Sequence, residues 1–247
     1  MRIIIRLLIL IVFILWIFKL TGDTDVASEV PKNVSVKTTT TDPVEESTQK
    51  DEPKTYFSIN VPYVSEAPEG DWSGDWVNAC EEATITMVEY FYKGQKSVSV
   101  AEAKDSLQKL FDEQDSRYGN NKNADASQIH EIISVFEKFK SKIVRNPTIN
   151  EIKNEIINGR PVISLHKGFT LNNPNIPFSP TKSSYHTVVV VGFDDAKQEF
   201  ITHDPGDDID GANHRYGYSV FMTSLHDYVA ETDTTDGAPT TIFTSKD

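Results

Sequence analysis

Cys80 is the only cysteine in the chain, and its position in "NACEEATITMVEYFY" (78–92) makes it a candidate nucleophile. A thiol attacks as its thiolate, and the positive end of a helix dipole lowers a thiol pKa. Asn78 and Glu81 have the spacing of a capping box, so a helix is predicted to begin near Ala79. Its inward stripe comprises Cys80, Ala83, Thr84, Met87, Val88 and Phe91. A buried, inert core thiol fits this stripe equally well.

Glu81 and Glu82 follow the cysteine directly, and negative charge beside a thiol disfavours the thiolate. Both side chains are predicted to point outward, where a carboxylate stabilises the N-terminus of a helix. Glu81 is expected to be the capping-box partner of Asn78.

His186 is the best placed of the six histidines to act as a base. Residues 186–193 and 199–204 are predicted to form two antiparallel strands joined by a short turn. With the turn centred near residue 195, ladder partners have numbers that sum to about 390, and His186 faces Asp204. A carboxylate at that distance would fix the tautomer of the ring and stabilise the imidazolium. A slip of the register would break this pairing.

The other polar features give weaker signals. His166 ends a predicted strand and stays a second candidate, whereas His203 should point to the opposite face of its strand. Trp72 and Trp76 either line a substrate groove or pack against the core. The acidic segment 204–213 lacks the spacing of a calcium loop and is interpreted as a solvated turn. A lone cysteine excludes a multi-cysteine zinc site, and no phosphate-binding or dinucleotide motif occurs, so neither metal nor cofactor is expected.

Helical and strand patterns around these residues indicate an α+β fold, with helices first and strands afterwards. Further helices are predicted from a Ser99–Glu102 capping box to about Asp112, over 127–140 with Phe139 in its apolar stripe, and from a Thr148–Glu151 capping box to Gly159. Strands are predicted at 56–64, 161–165, 186–193, 199–204 and 240–245, and a strand end followed by a short helix within 216–228.

Composition divides the chain into three segments. Residues 1–20 are apolar after a basic start and fit a signal anchor better than a cleaved signal peptide, which would place the remainder outside the cytoplasm. Secretion after cleavage is the alternative. Residues 21–54 are rich in Thr, Ser, Pro and acidic residues and are predicted to be a disordered linker. Residues 55–247 can form one domain, and the net charge of -13 argues against nucleic acid as a partner.

Five segments, in this order, resemble the cysteine peptidase family 39-like domains. These are relatives of the bacteriocin-processing (double-glycine leader) peptidases within the papain-like fold. The resemblance spans roughly residues 57 to 230. The segments are "INVPYVSEAP", "CEEATITMVEYFY", "NGRPVISL", "YHTVVVVGFDD" and "FITHDPG".

The resemblance implies a papain-like fold with Cys80 as nucleophile, His186 as general base and Asp204 as the acid that orients it. It implies hydrolysis of a peptide or protein substrate through an acyl-enzyme, by a domain expected to be monomeric. The family usually has Gln in a Val-Pro-x-x-x-Gln segment, where the amide donates to the oxyanion. This chain has Glu66 there, and an ionised carboxylate only accepts hydrogen bonds.

Glu66 therefore leaves several alternatives open. Either Glu66 is protonated, or another group donates to the oxyanion, or the enzyme is slow, or the domain binds peptide or cell-wall material without cleaving it. Hydrolysis of peptidoglycan amides by the same triad is a further alternative.

Overall fold

The computed structural model describes residues 54–136, 139–180 and 184–246. The expected signal anchor (1–20) and all of the predicted linker except Lys54 lie outside the described residues, so both stay predictions. No helix within the described ranges is long and apolar enough to cross a membrane. The described residues from Lys54 onward belong to one compact unit.

Most of the helices lie where the sequence predicts them. The α-helices of the described ranges are α1 (Cys80–Tyr92), α2 (Val100–Tyr118), α3 (Ala126–Phe136), α4 (Ile149–Ile157), α5 (Gly168–Leu171) and α6 (Tyr218–Ser224). A 3-10 helix (Gly74–Asn78) precedes α1. Both capping boxes predicted after α1 are confirmed: the Ser99 hydroxyl and the Glu102 carboxylate cap α2 reciprocally, and Thr148 and Glu151 cap α4 in the same way.

The strands form one antiparallel sheet with the order β2-β7-β3-β4-β5-β6, and β1 pairs with β4 beside this path. The α+β class with an antiparallel sheet is thus confirmed. The strands are β1 (Tyr56–Ser58), β2 (Phe139–Arg145), β3 (Val162–Lys167), β4 (Tyr185–Asp194), β5 (Glu199–His203), β6 (Ala212–Gly217) and β7 (Thr240–Lys246).

Three predicted boundaries are wrong. The helix predicted over 127–140 ends at Phe136, and Phe139 begins β2 instead, because this segment pairs with β7 along its whole length. Helix α2 continues past Asp112 to Tyr118, where Gly119 ends it with a φ of 74°. The first strand is only Tyr56–Ser58, because the chain leaves the edge of β4 there.

The central strand β4 is buried along its length and has apolar side chains on both faces of the sheet. Helices α1 to α3 cover one face, where Val189 and Val191 join their core, whereas α4 and α6 cover the other face, where Val188 and Val190 pack. The sheet therefore lies between two helical layers, and α1 packs directly against β4. This contact brings the N-terminus of α1 to the end of β4 at which His186 lies.

Candidate active site

Cys80 is the first residue of α1 and is almost fully buried, but the predicted cap is wrong. Asn78 belongs to the preceding 3-10 helix, so Ala79 occupies the cap position and no side chain caps α1. The first N–H groups of an α-helix have no partner within the helix, so the backbone N–H of Cys80 is free of helical bonding.

The prediction that Glu81 and Glu82 point outward is also wrong, because both side chains are buried. Glu81 accepts hydrogen bonds from the Ala124 backbone N–H (2.7 Å) and from the Cys80 thiol (2.9 Å). Glu82 accepts one from the Gln114 amide. The loop after α2 and the end of α2 cover the first turn of α1, and only long-range packing could reveal this.

His186 and Asp204 are hydrogen-bonded, with 2.6 Å between His186 Nε2 and Asp204 Oδ1. The register predicted for them is nevertheless wrong. His203 pairs with Val189 instead of Thr187, and a bulge lies between Val190 and Gly192.

Extended by one residue, the observed register places Asp204 opposite Val188, two positions from His186 on the same face of β4. The residue actually paired with His186 is His166 of β3. The contact between His186 and Asp204 therefore forms diagonally.

Hydrogen bonds and charge keep Asp204 ionised in a buried position. Burial raises its pKa, but the charge of His186 and the bonds from His186, Tyr216 and Asn173 outweigh burial and lower the pKa to about 2. Burial lowers the pKa of His186, and the neighbouring Asp204 carboxylate outweighs this, so that the pKa is raised overall. The pair therefore fixes the Nε2–H of His186 on Asp204 and makes the other ring nitrogen a stronger proton acceptor.

Cys80, His186 and Glu66 meet at one point. The sulfur, one ring nitrogen of His186 and one carboxylate oxygen of Glu66 all lie within 4.8 Å of one another. Because Nε2 is bound to Asp204, Nδ1 is the ring nitrogen free to exchange a proton with the thiol. Donor atoms this close could share a cation, but a protonated thiol beside a ring whose pKa is raised suits proton transfer to that ring better. A metal-free site stays a prediction.

The Glu66 carboxyl has no hydrogen-bond partner among the described residues, although Glu66 is only 7% exposed. Its backbone N–H donates to the Pro205 carbonyl (3.0 Å), which fixes the loop. Burial raises the pKa of Glu66 to about 8, against the lowering effect of the His186 charge. At neutral pH, Glu66 is thus mainly a carboxylic acid with an O–H to donate, and in this form it carries no charge that would repel an oxyanion.

The Cys80 thiol has a pKa well above its usual value, contrary to the effect expected of a helix N-terminus. Burial is the main cause, followed by the charges of Glu81 and Glu66 and the hydrogen bond to Glu81. Desolvation and like charge therefore outweigh the helix dipole here.

A cavity of about 570 Å³ opens at Cys80. Trp72 lines this cavity, whereas Trp76 packs against Phe111 with ring centroids 5.2 Å apart. The structure thus separates the two tryptophans and leaves only Trp72 able to contact a substrate there. The other aromatic and apolar lining residues are Val77, Ile176, Pro177, Phe178 and Tyr185.

Asp207 organises the cavity wall, and the interpretation of 204–213 as a solvated turn is wrong at this residue. Asp207 is buried and accepts hydrogen bonds from the side-chain amides of Asn173 (3.1 Å) and Asn175 (2.9 Å). Asn173 also donates to Asp204 (3.0 Å), so one amide connects Asp204 to the wall. Clustered Asn and Asp residues in both loops are the sequence signal that could have indicated this.

The rings of His166 and His203 contact hydrogen-bonding groups other than Cys80. Serine hydroxyls contact both ring nitrogens of His166 at 2.8 Å, and burial lowers its pKa to about 3. His203 contacts the Val61 carbonyl through Nε2, and burial lowers its pKa. Neither ring is placed to exchange a proton with Cys80, so His186 is the histidine that the fold presents to the thiol.

Comparisons with known proteins identify the family and the fold. The model of the Peptidase_C39 like family matches residues 58–233. A similar solved structure is that of a proposed C39-like peptidase from Bacillus anthracis, which is 15% identical, with a TM-score of 0.52. The match covers 78% of this chain and 99% of the Bacillus protein, and at this identity it shows the fold alone. A search of curated proteins found no match. Because the family model spans most of the chain, this protein belongs to the Peptidase_C39 like family.

Proposed function

We propose that the protein is a cysteine peptidase that hydrolyses peptide bonds through Cys80, His186 and Asp204. The observation that carries this proposal is the convergence of the Cys80 sulfur and a His186 ring nitrogen within 4.8 Å, at the wall of an open cavity. The 2.6 Å bond from His186 to Asp204 adds the third member. Membership of a peptidase family supports the reaction class.

Proton transfer starts from neutral His186, whose Nε2–H is held by Asp204. The thiol proton moves from Sγ to Nδ1, and the thiolate forms a bond to the carbonyl carbon of the substrate. The resulting imidazolium gives its proton to the leaving amine as the C–N bond breaks. His186 then takes a proton from water, which releases the acyl group from Cys80. The Asp204 carboxylate stabilises the charge that His186 carries between these steps.

Glu66 is proposed to donate a hydrogen bond to the oxyanion. As a neutral acid it supplies the O–H that replaces the amide N–H of the family's usual Gln, and the free N–H of Cys80 supplies a second donor. A buried carboxylic acid that stays neutral at pH 7 is a known device for this purpose.

The substrate is proposed to be a peptide or protein outside the cytoplasm. This part of the proposal rests on the apolar start of the chain, residues 1–20, and on the acidic composition, which does not suit nucleic acid. Cell fractionation tests it, because the full chain should remain with the membranes. External protease should remove the domain from cells whose cytoplasmic membrane is still sealed.

A labelling experiment tests the triad. A fluorescent chloromethyl ketone probe should label wild-type protein at Cys80, label Cys80→Ser protein not at all and label His186→Ala protein far more slowly. Hydrolysis of a pooled fluorogenic peptide library should follow the same order. Equal labelling of wild type and His186→Ala would remove the proposed base.

Binding without hydrolysis is a second candidate, favoured by the raised pKa of the Cys80 thiol. Peptidoglycan amide hydrolysis uses the same triad and is tested by adding muropeptides to the substrate pool. Absence of turnover in both wild type and Glu66→Gln, together with retained peptide binding, would favour the binding role. A large gain in hydrolysis by the Glu66→Gln variant would instead show that the wild-type protein is an enzyme impaired by Glu66.

A further inference from the structure

The thiol of Cys80 has a hydrogen-bond partner other than His186. Its Sγ–H donates to Oε2 of Glu81, with 2.9 Å between the sulfur and the oxygen. Both residues lie in the first turn of α1 and are at most 3% exposed. The proton that must leave sulfur before attack is therefore hydrogen-bonded to the Glu81 carboxylate.

Glu81 is fixed in this position. Its second oxygen, Oε1, accepts the backbone N–H of Ala124 at 2.7 Å. Its backbone carbonyl accepts the hydroxyl of Thr84 at 2.9 Å. A side chain bound at both oxygens and excluded from water cannot turn away from the sulfur without leaving a buried N–H unpaired, which costs about 1–3 kcal/mol.

We propose that Glu81 holds the proton of Cys80 in the free protein and so limits how readily the sulfur becomes a nucleophile. This inference rests on the proposed role of Cys80. It assigns Glu81 a contact with the reacting atom, as the acceptor that competes with His186 for the thiol proton. Before attack, that proton must leave its hydrogen bond to Glu81 and move from sulfur to Nδ1 of His186. The sulfur becomes negative and the ring positive, so the net charge of the site is unchanged.

The physical reason is the charge of Glu81. A carboxylate next to sulfur accepts a bond from the thiol and repels the thiolate, so it stabilises the protonated form. Burial raises the pKa of Glu81 to about 7, so near neutral pH the group is partly ionised. The titratable groups facing the Cys80–Glu81 pair are His186 and Tyr185 from β4, Glu66 from the loop after β1, Glu82 from α1, and Tyr228, and Asp204 contacts the far nitrogen of His186.

The test is the alkylation rate of Cys80 by iodoacetamide as a function of pH, in wild type and in Glu81→Gln. Gln keeps an oxygen for the Ala124 N–H and turns an NH₂ toward the sulfur, where it can donate to a thiolate. Removal of a like charge shifts a pKa by about 1–3 units, and the lower nucleophilicity of a less basic thiolate cancels about half of the gain. We expect alkylation at pH 7 to be about 3- to 30-fold faster in the variant, with the profile moved to lower pH.

Glu82→Gln is the matched control. Glu82 is the next residue of the same helix turn and is equally buried, but its carboxylate accepts a hydrogen bond from the Gln114 amide and not from the sulfur. Its substitution should leave the alkylation rate near that of wild type. An unchanged or slower rate in Glu81→Gln, or an equal gain in Glu82→Gln, overturns the proposal.

The infrared S–H stretch provides a measurement that needs no variant to fold. Cys80 is the only cysteine, so the band belongs to this thiol alone. The proposal expects a band below the frequency of a free thiol in wild type, and a band at the free position overturns it. Both measurements work without substrate. Absence of peptide hydrolysis would therefore contradict the proposed function, while the alkylation rates and the S–H band would still decide the role of Glu81.

Discussion

Replacement of Glu66 by Gln tests the role of a neutral acid at the oxyanion position. If the carboxylic acid donates to the oxyanion, its ionisation removes that donor and adds a repelling charge. Gln presents an N–H of similar reach that does not titrate in this range. The variant should therefore keep its activity at alkaline pH, where the wild type loses activity.

The size of the effect follows from the pKa of Glu66, which burial raises to about 8. With that pKa, the neutral fraction is about 90% at pH 7 and about 10% at pH 9. Loss of one oxyanion donor lowers the rate by about 10²–10³, so the ionised form contributes almost nothing. The ratio of the Glu66→Gln rate to the wild-type rate should thus rise roughly tenfold from pH 7 to pH 9.

The assay is the hydrolysis of p-nitrophenyl acetate, an activated ester that needs little side-chain recognition, with Cys80→Ser protein as the blank at each pH. Asp208→Asn serves as the matched control, because Asp208 lines the same cavity with an exposed carboxylate. A rate ratio that stays constant between pH 6 and pH 9 would refute the neutral-donor argument, as would an equal rise in Asp208→Asn.

The same substitution should change how stability depends on pH. The folded pKa of Glu66 is about 8 and the ordinary value is 4.5, so the folded protein binds this proton more tightly than the unfolded chain. This contribution to stability is complete below pH 4.5 and is lost as pH rises to 8, up to about 5 kcal/mol over that range. Thermal unfolding should show Glu66→Gln losing less stability than wild type between pH 5 and pH 8.

Three further substitutions test the remaining parts of the site. Asp204→Asn removes the charge that stabilises the His186 imidazolium, so kcat should fall by about 10²–10⁴ and the pKa of His186 should drop in an NMR titration. Gly206→Ala places a Cβ 3.0 Å from Cε1 of His186, so kcat should fall while the melting temperature changes little. Trp72→Ala should raise KM with little effect on melting temperature, whereas Trp76→Ala should lower the melting temperature by removing the contact with Phe111.

The sequence by itself determined the elements that carry the chemistry. The helical stripe that starts at Cys80, the capping boxes at Ser99 and Thr148, and the valine run after His186 are local patterns. Local patterns survive folding because capping and periodicity involve residues three or four positions apart. The order of these segments was also enough to indicate the family.

Only the tertiary structure decided how the side chains meet. The turn is centred between residues 196 and 197 rather than near 195, and a bulge in β4 shifts the pairing by one residue, so His186 reaches Asp204 diagonally and not as a ladder partner. Packing of the loop after α2 over the first turn of α1 buried Glu81 against the thiol, although the local pattern placed it at the helix cap.

Burial likewise decided the protonation state of Glu66, which the sequence left open. These outcomes depend on desolvation and on contacts between distant segments. The free energy of a buried charge is set by everything that surrounds it, and a linear pattern does not contain those surroundings.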